Sequence, residues 1–74
     1  MTLYALVYNE GDIENTRKVI ACHYQLEKLK DLALMLEKDV RYDRLGLEIF
    51  ETTLNVKNFI FGYKGSIKEI FKLL

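Results

Sequence analysis

Few side chains in this 74-residue chain could carry out chemistry, and their spacing argues against most of it. His23 is the only histidine and Cys22 the only cysteine. A thiolate–imidazole dyad needs both groups on one side, whereas neighbours in a strand point to opposite faces. Ser66 is the only serine, and with Glu69 three residues later it reads as a helix cap rather than a nucleophile. One cysteine cannot form an intramolecular disulfide or a Cys-rich zinc site. In the apolar run Val19-Ile20-Ala21-Cys22 it reads as a small buried hydrophobe. Glycines 11, 46, 62 and 65 make no phosphate-cradling pattern, and Lys64 in "GYKG" is not followed by Ser or Thr. Glu48 and Glu51 read as charges on a solvated strand face. No catalytic, metal or cofactor residue is expected, and the chain is not expected to be an enzyme.

The chemistry left is recognition. Five Tyr and four Phe are many for this length, and Tyr suits interfaces because it buries area while keeping a hydrogen bond. The net charge is zero, from 11 basic and 11 acidic residues. A nucleic-acid binder usually carries a basic excess. Residues 1–56 hold 7 Lys/Arg and 10 Asp/Glu, whereas residues 57–74 hold Lys57, Lys64, Lys68 and Lys72 against Glu69. The tail is therefore mildly basic, and a basic aromatic segment could contact single-stranded nucleic acid. No window approaches the roughly 18 apolar residues of a membrane span, and the start lacks the basic region of a signal peptide. A cytoplasmic protein without membrane contact is expected.

These side chains need elements to position them. Residues 2–8 alternate Leu, Tyr and Val with both faces apolar, which predicts an interior strand or one with its second face covered. Residues 9–15 have turn composition, and residues 17–24 form a second β run, giving a hairpin with an irregular loop. Over residues 25–40, Leu26, Leu29, Ala33, Leu36 and Val40 recur at helical spacing, widened by Leu32. Leu34 and Met35 fall off that stripe and make a candidate contact patch. Residues 47–54, "LEIFETTL", favour a strand by β-branched and aromatic content, although Leu45, Ile49 and Thr52 also fit a helical face. Residues 58–63 read as a further strand or an extended arm. The Ser66/Glu69 box then starts a short helix with Ile67, Ile70, Phe71 and Leu74 on one face, too short to stand alone. The fold class is α+β: a small antiparallel sheet with one long helix on a face, ββαβ, plus a C-terminal strand or arm and a short helix. Residues 1–56 form the core and residues 57–74 a basic aromatic segment of one domain.

The pattern "YALVYNEGDIENTRKVIACHYQLEKLKDLALMLE…LEIFETTLN" resembles the small ββαβ proteins of bacteriophages and other mobile elements, over about residues 3–55. They often open with Tyr-x-Leu-Val-Tyr and continue with a polar loop, a strand, a helix and a strand like "LEIFETTL". The resemblance implies a stoichiometric binder of a host protein, such as an inhibitor of host defence of the anti-CRISPR kind. It carries over no site residues. The candidate partner surface is therefore taken from the residues themselves: Phe59, Phe61, Tyr63, Lys64, Ile67, Ile70 and Phe71, with Leu34 and Met35 as a second patch. The same surface would serve a homodimer, which would help a marginal core. The alternative function is a nucleic-acid-binding regulator acting through the basic tail.

Overall fold

The computed structural model describes residues 2–11, 17–39, 42, 46–54 and 59–73, and for residues 53, 54 and 59–61 the backbone only. The order of elements is β1 (Thr2–Asn9), β2 (Arg17–His23), α1 (Leu26–Leu36), β3 (Leu47–Leu54), β4 (Phe59–Ser66) and α2 (Ile67–Ile70). The four strands form one antiparallel sheet in the order β2-β1-β3-β4. The architecture is the α+β one that the periodicity predicts. β1 is an interior strand, with β2 on one side and β3 on the other. Of residues 58–63, read from sequence as strand or arm, 59–63 lie in the fourth strand, which runs on to Ser66.

Both helices lie on the same face of the sheet. Leu6, Leu47 and Ile49 from the strands meet Leu29 and Ala33 of α1 and Ile67 of α2 in one buried cluster. α1 packs over β1 and β2, and α2 over β3 and β4. The helix stripe Leu26, Leu29, Leu32, Ala33 and Leu36 belongs to this core, as its spacing predicts. The helix is shorter than residues 25–40. Turn-type bonds, Lys38 N–H to Met35 O and Asp39 N–H to Leu36 O, succeed its last turn. Glu37 caps that end, its N–H bonding Ala33 O at 3.0 Å. Val40, Leu45 and Leu74 lie outside the described residues.

α2 is a single turn fixed at both ends. The Ser66 hydroxyl accepts from Glu69 N–H at 3.3 Å and donates to Glu69 Oε1 at 3.1 Å, a variant of the capping box. At the other end Lys72 adopts φ 54°, and Leu73 N–H bonds Lys68 O at 3.0 Å. That pairing is a Schellman closure with lysine where glycine is usual.

Each edge strand carries an irregularity in its pairing. Ile20 is the extra residue between Ala21, opposite Leu6, and Val19, opposite Val7. Lys64 is the extra residue between Gly65, opposite Ile49, and Tyr63, opposite Phe50. Gly65 has φ 146°, backbone that a side chain would strain. Such bulges twist an edge and, with a basic residue beside them, blunt it against pairing with another strand.

A candidate docking surface on the helix-free face

The bulges decide which side chains share the face of the sheet away from the helices. Side chains alternate along a strand, so one extra residue reverses the alternation beyond it. Without the bulge in β2, Ile20 would stand opposite Val7 and Arg17 would fall on the helix side. With it, Val19 joins Val7, and Arg17, opposite Asn9, joins the same face. In β4 the bulge likewise turns Tyr63 to that face beside Phe50, where Lys64 would otherwise stand.

The result is a cluster drawn from all four strands. Arg17 crosses above β1 and places Nε 2.9 Å from Glu48 Oε1 on β3. Its guanidinium carbon lies 5.6 Å from the centre of the Phe50 ring and 6.0 Å from that of Tyr63, within cation–π range. Phe50 and Tyr63 meet edge to face at 5.4 Å between centroids. Beside them Val7, Arg17, Val19 and Phe50 line an apolar depression of about 160 Å³. Val19 is 60% and Tyr63 51% exposed, whereas Ala5, Val7 and Thr52 on the same face are buried.

The ion pair is lopsided. The Glu48 side chain keeps 10% of its exposure and Arg17 keeps 52%. Glu48 is thus not the solvated charge expected from sequence; Arg17 folds over the central strand and covers it. The hydrogen bond and charge of Glu48 raise the Arg17 guanidinium above its ordinary value. Desolvation against its neighbours, and then the Glu48 charge, raise the Tyr63 phenol.

The residues singled out from sequence are distributed differently from that expectation. Tyr63 is on the docking face. Lys64 diverges from it, with Nζ 3.0 Å from Glu51 Oε2. Ile67 is fully buried, and Ile70, Phe71 and Leu73 pack on the core. Lys30 of α1 places Nζ 5.8 Å from the Phe71 ring, tying the two helices together. The short helix therefore covers its own domain, and Ile67 has no surface to offer a partner. Backbone register sets Phe59 opposite Leu54 and Phe61 opposite Thr52; their side chains lie outside the described residues. Met35 is exposed at 69%, and Leu34 is half-buried. That patch is on α1, across the sheet from Tyr63, so the two proposed surfaces are not brought together.

Cys22 is exposed, not buried as its apolar run suggests. It stands opposite Ala5 on an edge strand, and the helices cover the other face. His23 accepts the Gln25 N–H at Nδ1 at 2.8 Å and closes the turn into α1. Among the described residues no three His, Cys, Asp or Glu side chains cluster to hold a metal ion, and no helix is long and apolar enough to cross a membrane.

Sequence reasoning passed over Val7, Arg17, Val19, Glu48 and Phe50 as a group. The available signal was the doubly apolar β1, which demands cover on its second face. Comparison of the chain with protein-family models, curated proteins and solved structures finds no match.

Proposed function

We propose that this protein is a non-enzymatic binding module that engages another protein stoichiometrically through its helix-free sheet face. The observation that carries the reading is the depression of about 160 Å³ beside Arg17 and Tyr63. Small-molecule sites usually enclose roughly 300–1,000 Å³, whereas a cavity of about 150 Å³ accepts one benzene-sized group. The depression therefore suits a single side chain of a partner. Arg17, which lines it, is of a residue type that often dominates the energetics of protein interfaces, and Tyr63 stands against the lining Phe50. Both edge strands are blunted, which favours docking on the face over addition of a strand.

The resemblance to mobile-element ββαβ proteins makes a host protein in the cytoplasm the natural partner. Inhibition or modulation of a defence protein by occlusion is the effect that would follow. The test is affinity capture from host lysate, with and without nuclease, using the wild-type chain and Val19→Asp. Val19 is exposed, so this substitution should leave the fold intact while charging the depression. One protein held near equal stoichiometry despite nuclease, and lost with Val19→Asp, is the expected result. Capture that vanishes with nuclease would instead point to the basic lysines and a nucleic acid.

A further inference from the structure

The unequal exposure of the Arg17–Glu48 pair suggests the chemistry of that partner. The Glu48 side chain is nearly buried and the Arg17 side chain is half exposed, so the face shows solvent the positive member of a neutral pair. Nε is the donor to Glu48; the Nη groups are the remaining donors of the guanidinium fork, a geometry that suits a carboxylate. The two rings and Glu48 hold the guanidinium in place, so little freedom is lost when a partner binds it. The apolar depression lies directly beside it.

We propose that this face binds a segment of another protein that offers an Asp or Glu carboxylate to Arg17 and an adjacent apolar side chain to the depression lined by Val7, Val19 and Phe50. The inference rests on the protein-binding reading above and specifies the partner. A second copy of this chain fits less well. Among the described strand residues, Glu48 is the only carboxylate on this face, and it is buried beneath Arg17. Two such faces would bring two Arg17 side chains together, with the one strand carboxylate described on each face already engaged by its own Arg17.

The test is selection of random linear heptapeptides displayed on phage against the full-length chain, followed by fluorescence-polarisation titration of the leading peptide. Arg17→Met alone would leave Glu48 buried without its partner, so the comparison protein is the double variant R17M/E48Q, which removes both charges. Enrichment of Asp or Glu next to an aliphatic or aromatic residue is expected. Binding should fall at least about tenfold with R17M/E48Q, and equally when the peptide acid is replaced by its amide, as for loss of a charge-assisted pair. No enrichment, enrichment without acidic residues, or equal binding to R17M/E48Q overturns the proposal. The lysate capture separates this failure from failure of the broader reading. A partner kept by R17M/E48Q but lost with Val19→Asp leaves the binding module standing without acid recognition, whereas no retained partner removes both.

Discussion

Arg17 and Glu48 are 31 residues apart in sequence and sit on strands separated by β1, yet Arg17 Nε lies 2.9 Å from Glu48 Oε1. The contact exists because the β2 bulge turns Arg17 to the helix-free face, from which it spans the central strand. It joins β2 to both later strands through one guanidinium: to Glu48 of β3 by charge, and to Phe50 of β3 and Tyr63 of β4 by their rings.

This coupling predicts an order of stabilities. Arg17→Met leaves the Glu48 carboxylate poorly solvated and without its partner, so its urea midpoint should fall. R17M/E48Q should recover most of that loss, because neither charge remains. A double variant as unstable as the sum of its two single variants would show that the residues act independently.

The Tyr63 phenol gives a pH prediction. Its folded pKa lies above the ordinary phenol value. A raised folded value means that its contribution to stability is complete below the ordinary phenol pKa and is lost as pH rises through the folded value. Alkaline titration of tyrosine absorbance should contain a component above pH 10 that is absent in Tyr63→Phe and moves down in Glu48→Gln. An unchanged titration in Tyr63→Phe contradicts the assignment.

Thr52 is 1% exposed and its hydroxyl has no hydrogen-bond partner. Thr52→Val keeps the shape and removes the desolvated hydroxyl. The variant should gain about 1 kcal/mol in denaturant-derived stability. A loss would mean that the hydroxyl has a partner in solution.

Ile67 and Met35 separate core from surface. Ile67→Ala should cost about 2–5 kcal/mol, comparable to the roughly 3–5 kcal/mol that a core of this size supplies, so the variant should be largely unfolded by circular dichroism. Met35→Ala, at a site 69% exposed, should stay within about 0.5 kcal/mol. A well-folded Ile67→Ala would mean that α2 does not complete the core.

Much of the architecture was legible because it depends on local pattern. The two apolar faces of residues 2–8 required an interior strand or one with its second face covered, the 3- and 4-residue spacing from Leu26 required a helix with one buried stripe, and Ser66 with Glu69 marked the start of α2. The docking face was legible only as a demand for cover on the second side of β1. Which residues supply it depends on register, and register depends on two bulges. One extra residue reverses every side chain beyond it, and in β4 the positive φ of Gly65 lies next to the extra Lys64. Sequence by itself determined the first two strands and the helices, and left residues 47–54 open between strand and helix and residues 58–63 between strand and arm. Only tertiary structure set Arg17 over Glu48, buried that carboxylate, exposed Cys22 on an edge strand and turned Ile67 inward, because each outcome follows from side chains distant in sequence competing for the same two faces.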